Sequence, residues 1–163
     1  MDKHDRSYLN NVNLKNPWQF IALGFGSGLL PKAPGTYGSL AVIPFCIALM
    51  FLSPPLQLLV IVFTFFIGWY ASNITEKAMG MHDNSSIVID EFVGMFISVF
   101  MFPNVWWYAF IAFVFFRIFD VLKPFPISYL DKKVSGGLGV MLDDVLAGLF
   151  ALACGHAFIY WFI

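Results

Sequence analysis

Charge is what this chain has least of. Its 163 residues include nine Lys and Arg and ten Asp and Glu, 12% in all, about half the share of an ordinary soluble domain. Hydrophobic residues make up 60%, and mean hydropathy is +0.78. A soluble fold of this length could not hide that much apolar surface without large exposed patches, so lipid is the natural solvent. The net charge of −1 provides no field to attract nucleic acid. Cysteine is nearly absent. Cys46 and Cys154 stand inside apolar runs, with neither metal-ligand spacing nor a secreted-domain pattern, and read as small apolar fillers. His82 and His156 do not complete a zinc set. The N-terminal stretch has no short apolar core and no small-residue cleavage site of the signal-peptide kind. It is expected to stay as a cytoplasmic tail over residues 1–17, ahead of a single membrane-embedded domain over 18–163.

What is abundant is long apolar sequence. Runs approaching the ~17–25 residues that cross a bilayer as a helix occupy residues 39–53, 56–72, 87–102, 106–122 and 141–163. The expected fold class is an all-α polytopic helical bundle of about five spans. Pro44 is expected to kink its helix by its fixed φ, and Pro54-Pro55 and Pro103-Asn104 mark short links. An earlier apolar piece, residues 18–30, is short and carries Gly24, Gly26 and Gly28, which make a poor helix interior. It is expected to be re-entrant or interfacial.

Sidedness follows from charge. With the N-terminus inside and residues 18–30 not crossing, the inside loops hold Lys3, Arg6, Lys15, Lys32, Lys77, Lys123, Lys132 and Lys133, and the outside links hold no charge. That is a positive-inside pattern. Asp90, Glu91, Arg117, Asp120, Asp143 and Asp144 all fall at the inner ends of their spans. Trp106, Trp107 and Tyr108 mark the outer interface, as does Trp161, and His156 in an outer half reads as structural.

Carboxylates inside membrane helices are costly and usually serve partners or a water-filled cavity. Asp90, Glu91, Asp120, Asp143 and Asp144 come from three spans to one interface, where mutual repulsion calls for cations among them. Oxygen-only ligands point to a hard ion, and Mg²⁺ commonly combines one or two carboxylates with water and substrate phosphate. The plainer alternative is that these acids merely favour helix N-termini and the interface. Arg117, Asp120 and Lys123 are spaced three apart and are expected on one helix face, with Arg117 and Lys123 as phosphate ligands. The alternative is an Arg117–Asp120 pair with Lys123 reaching for lipid head groups. Two glycine loops, Gly24-Phe25-Gly26-Ser27-Gly28 continuing to Pro34-Gly35-Thr36-Tyr37-Gly38-Ser39, and Gly136-Gly137-Leu138-Gly139, precede apolar runs. Their backbone amides, with Thr36 or Ser39, suit an anion, although turn formation alone also explains the glycines. The stretches Asp90-Glu91-Phe92-Val93-Gly94 and Asp143-Asp144-Val145-Leu146-Ala147-Gly148 echo one another faintly.

Four ordered blocks resemble the phosphatidylglycerophosphatase A family over residues 16–155. They are Gly24 to Leu29 with Pro34 to Leu40; His82-Asp83 with Ser86 to Gly94; Phe116-Arg117-Ile118-Phe119-Asp120 with Lys123-Pro124-Phe125-Pro126; and Gly136 to Asp144 with Ala147-Gly148. One position departs: the family pattern has glycine where Ser85 stands. The resemblance implies a Mg²⁺-dependent phosphatase of the bacterial inner membrane that converts phosphatidylglycerophosphate to phosphatidylglycerol and inorganic phosphate.

The expected site therefore has Asp90, Glu91, Asp143 and Asp144 as Mg²⁺ ligands and Asp120 as a further ligand or orienter. Arg117, Lys123 and Lys32 face the transferred phosphate, Thr36 and Ser39 the head group, and Asp83 or Glu91 the attacking water. An aspartyl nucleophile stays open. A synthase of the CDP-alcohol type is disfavoured, because its signature is absent. The rival of another class is a small cation channel or transporter, which would carry polar residues through the membrane; here the outer halves of the spans are almost wholly apolar.

Overall fold

The computed structural model describes residues 7–81, 84–134 and 136–162, and every regular element among them is helical. Asn16 caps α1 (Pro17–Ala22) by accepting from the Trp18 amide, and Pro17 takes the first position, where its missing N–H leaves no bond unmade. The chain then turns through a 3-10 segment, Gly24–Leu29, in which Phe25 and Gly26 have φ of 57° and 97°. Residues 18–30 thus make a six-residue helix and a turn, far short of a crossing. Its helix, α1, is held near both ends. The Trp18 ring meets Tyr70 edge-on at 4.7 Å, and the Ala22 carbonyl accepts from the Val88 amide at 2.9 Å.

The first apolar run is broken at Val42 into α2 (Pro34–Ala41) and α3 (Ile43–Met50), with Pro44 in the first turn of α3. Val42 keeps helical φ and ψ, its N–H donates to the Gly38 carbonyl at 3.2 Å and its carbonyl accepts from Cys46 at 2.9 Å, so the interruption beside Pro44 is local and helical bonding continues across it. Next comes α4 (Pro54–Met79), which starts on Pro54-Pro55 and stops at Gly80, whose φ of 67° is the left-handed closing turn of a helix. The polar stretch 73–86 is not all loop, since α4 runs on to Met79. Asn73 to Met79 contains no breaker, and Gly80 is the signal that marks the end. There follow α5 (Ile89–Ser98), α6 (Tyr108–Leu122), α7 (Ile127–Lys133) and α8 (Gly137–Phe162). Residues 123–140, expected as a loop, contain α7 and the first turn of α8.

At about 1.5 Å per residue, the 26 residues each of α4 and α8 reach about 39 Å, more than a ~30 Å hydrocarbon core. These two helices are long and apolar enough to cross a membrane. The other three expected spans form shorter helices: eight residues each in α2 and α3, ten in α5, fifteen in α6.

The interior is mainly apolar, with Val93, Met95, Phe116 and Met141 fully buried, but it also encloses Ser39, Ser72, Glu91 and Asp144. Large apolar side chains cover much of the outside as well: Phe51, Phe63, Val121 and Leu122 are all more than 60% exposed, a surface suited to an apolar surrounding. α5 is the hub. Nine of its ten residues are buried, which is why its sequence is apolar all round except at its start. It lies most extensively against α8 and also touches α2, α4 and α6.

Candidate active site

The α5–α8 crossing places the acids. A Cβ at Gly148 would lie 2.6 Å from the Gly94 carbonyl, and one at Gly94 would lie 2.9 Å from the Asp144 carbonyl. Only glycine lets the two backbones come this close. The faint echo between the two segments is thus a physical one, since both glycines lie at the crossing and both acid pairs lie one turn before it. Asp90 comes within electrostatic range of Glu91, Asp143 and Asp120, and Asp144 within range of Glu91, Asp90, Asp120 and Asp143.

The acids divide into two sets. Glu91 is engaged. Its Oε1 and Oε2 accept from Arg117 Nη1 at 3.1 and 2.9 Å, and the Ser39 hydroxyl donates to Oε2 at 2.6 Å. Arg117 also pairs with Asp120 on its own helix at 2.5 Å and donates through Nη2 to the Thr36 hydroxyl at 3.3 Å. One guanidinium therefore ties α2, α5 and α6 together. Gly35 makes room for it, because a Cβ there would collide with Glu91 Oε1. Arg117, expected as a phosphate ligand, directs its fork to carboxylates and to the Thr36 hydroxyl, which accepts from it, and the Ser39 hydroxyl donates to Glu91.

The second set is under-bonded. Asp90 Oδ1, Asp143 Oδ1 and Asp144 Oδ2 are buried and have no hydrogen-bond partner among the described residues. Buried carboxylate oxygens without donors are unstable unless a cation or ordered water satisfies them. Among the described residues, no three His, Cys, Asp or Glu side chains close to metal-ligand spacing, so the expected four-acid cage is not preformed. The set fits an ion that keeps much of its water and takes one or two carboxylates, as Mg²⁺ does.

Lys123 does not share the Arg117–Asp120 face. It closes α6 with φ 41°, just before Pro124, and this left-handed turn swings it out of helical register. Its ammonium bridges Asp131 Oδ1 and Asp143 Oδ2, each at 2.6 Å. Burial lowers the Lys123 pKa, but the hydrogen bonds and charges of Asp131 and Asp143 outweigh it, so the net shift is upward and the amine stays charged. Lys32 is exposed, with φ 76°, ahead of α2, and makes no ion pair among the described residues. Asp83 lies outside the described residues. His156 is structural, with Nε2 3.0 Å from the Phe100 carbonyl and its ring against Phe102.

Two contributors were missed by sequence reasoning. Asp131 sits on α7, hidden in what looked like a solvated loop. Asn73 accepts from the Gly137 amide at 3.2 Å and so holds the start of α8 against α4. The glycine before Asp143-Asp144 and the polar end of the 56–72 run were the available signals.

Comparison with known proteins shows the family. The pattern described as phosphatidylglycerophosphatase A matches residues 20–159. The phosphatidylglycerophosphatase A of Escherichia coli K12 is 45% identical over 152 residues, covering 93% of this chain and 88% of its own. That of Haemophilus influenzae Rd is 45% identical over 157 residues, covering 95% and 96%. A Bacteroides thetaiotaomicron protein that carries the provisional name phosphatidylinositol-3-phosphatase is 44% identical over 140 residues, covering 80% and 86%. No solved structure matches. The matched region contains every acid of the α5–α8 crossing together with Arg117 and Lys123, and the chain belongs to the phosphatidylglycerophosphatase A family.

Proposed function

We propose that the chain is a Mg²⁺-dependent lipid phosphatase that hydrolyses phosphatidylglycerophosphate to phosphatidylglycerol and inorganic phosphate at the cytoplasmic face of the inner membrane. Family membership supports the activity. The observation that carries the mechanism is the trio of unbonded buried oxygens, Asp90 Oδ1, Asp143 Oδ1 and Asp144 Oδ2. Asp90, Asp143 and Asp144 would hold Mg²⁺. When bound, the ion supplies neutralisation of phosphate oxygens and acidification of water.

The remaining residues hold and orient. Arg117 fixes Glu91 and the start of α2, so the acid end of α5 keeps one geometry. Lys123 keeps a positive charge beside Asp143, where it offsets the negative charge gathered on the transferred phosphate. Lys32, exposed and without an ion pair among the described residues, is a cation able to meet the incoming head group. Hydrolysis adds water across the terminal P–O bond: a new oxygen joins phosphorus, and the glycerol oxygen leaves with a proton. The acyl chains stay in lipid against the exposed Phe and Leu surface.

The five-span, inside-N-terminus arrangement belongs to the same proposal. It places the acid ends of α5, α6 and α8 on the lysine-rich side. The apolar outer halves favour chemistry at one face over transport through the membrane. The test is phosphate release by purified protein from phosphatidylglycerophosphate in mixed micelles, with and without Mg²⁺, beside phosphatidylinositol 3-phosphate. Metal-dependent release from the first substrate is expected, and release independent of Mg²⁺ would overturn the assignment of the acids.

A further inference from the structure

Asp131 has so far appeared only as the second partner of Lys123. It lies on α7, the seven-residue helix between α6 and α8. Its Oδ1 accepts from Lys123 Nζ at 2.6 Å, and the same nitrogen donates to Asp143 Oδ2 at 2.6 Å. Lys123 is 30% exposed and Asp131 32%, whereas Asp143 is 10% exposed at its side chain. One ammonium thus stands between an outer and an inner carboxylate. Asp143 has its other oxygen, Oδ1, unbonded and buried.

We propose that Asp131 is a positioning residue that acts through Lys123, setting how firmly Lys123 holds Asp143 and so how readily Asp143 accepts a divalent cation. This rests on the reading of Asp143 as a Mg²⁺ ligand. The physical argument is competition for one carboxylate. Lys123 already neutralises Asp143, so a cation arriving there must share or displace that ammonium. A lysine with a second carboxylate at hand keeps a charged partner when it lets go of Asp143. A lysine without one loses its only counter-ion in a half-buried place, and charge left unpaired there is unfavourable. Asp131 therefore lowers the penalty of freeing Asp143. The left-handed turn at Lys123 makes the arrangement specific, because it aims the side chain away from α6 and between α7 and α8.

The test is divalent-cation binding rather than turnover. Full-length protein in detergent is titrated with Mn²⁺, and free Mn²⁺ is followed by electron paramagnetic resonance. Four proteins are compared: wild type, Asp131→Asn, Lys123→Met and the double variant. Asp131→Asn is expected to weaken Mn²⁺ binding about three- to fivefold, the scale of a partly exposed charged pair. In the Lys123→Met background the same change is expected to shift binding by less than about twofold, since the group it acts through is gone. Asp131→Glu, which keeps the charge, is expected to restore wild-type affinity and guards against a folding artefact. An equal loss in both backgrounds would mean that Asp131 acts by its own charge, and no loss in wild type that it does not act at all; either result overturns the proposal. Wild-type protein that binds no Mn²⁺ would instead overturn the metal reading, and this inference with it.

Discussion

Gly148 of α8 rests against the Gly94 carbonyl of α5 so closely that a Cβ on Gly148 would lie 2.6 Å from that oxygen. This contact decides how near the two acid pairs come. It also separates a glycine that the packing needs from one that it tolerates. Gly148→Ala is expected to lower stability by about 1–3 kcal/mol, the usual penalty of overpacking, because backbone cannot move aside. Gly68→Ala is expected to be neutral or stabilising by up to about 1 kcal/mol. The new methyl there meets mainly Met141 Cε and Sδ, the flexible end of a side chain. Thermal unfolding of the two variants in detergent checks the difference, and equal losses would contradict the crossing.

Arg117 and Glu91 are expected to behave as one unit. A lysine at position 117 cannot reach Glu91 and Thr36 together, since both guanidinium arms are in use. Arg117→Lys should lower kcat about 10- to 100-fold, in line with about 1.4–2.7 kcal/mol of lost positioning. Glu91→Gln should have a similar effect, and the double variant should be little worse than either single one. Additive losses would show that Arg117 touches the phosphate directly and is not a strut.

The unbonded acids make a paired prediction about activity and stability. Asp144 is 2% exposed and has a buried oxygen without a donor. Asp144→Asn removes that charge, so without Mg²⁺ the variant should be more stable than wild type by about 1 kcal/mol, yet turn over at least about 100-fold more slowly. Mg²⁺ at about 100 times its Kd should stabilise wild type by about 2.7 kcal/mol and leave the variant nearly unchanged. Melting curves with Mg²⁺ and with a chelator decide this. A wild-type curve that ignores Mg²⁺ would remove the metal from the site.

Sidedness is open to direct labelling. In a background with Cys46 and Cys154 replaced by Ala, cysteine at Lys32 should stay unlabelled by an impermeant thiol reagent added to intact cells. Cysteine at Asn104 should react. Labelling of both positions would mean that residues 18–30 cross the bilayer after all, despite their six-residue helix and broken 3-10 turn.

Several features were legible because they are sums over neighbouring residues. Scarce charge and long apolar runs specify helix as structure, since a helix bonds its own backbone wherever it lies, and two of those runs form helices long and apolar enough to cross a membrane. Asp90 and Glu91 do lie in the first turn of α5, whereas Asp143 and Asp144, expected at the head of their span, lie about two turns inside α8, which begins at Gly137. The limits of that pattern show at residue 80 and residue 42. Hydropathy falls at Asn73, but α4 continues to Met79 because helix formation depends on the absence of a breaker, not on apolarity. The 39–53 run is largely apolar, yet its regular helix is locally interrupted at Val42, two residues before Pro44.

The partners inside the site were decided by tertiary structure alone. Arg117 reaches Thr36, 81 residues away, and Ser39 reaches Glu91 across 52. Lys123 looked like a member of the Arg117 face until its left-handed turn sent it to Asp131 and Asp143. Which carboxylates are paired and which are left unbonded depends on how α2, α5, α6, α7 and α8 pack. Ionic partners are set by distances of a few ångströms between distant segments, and no local spacing encodes them. The amino-acid sequence by itself determined where the acids would gather; the packing determined that Glu91 and Asp120 serve Arg117, while Asp90, Asp143 and Asp144 each keep a buried oxygen with no hydrogen-bond partner among the described residues.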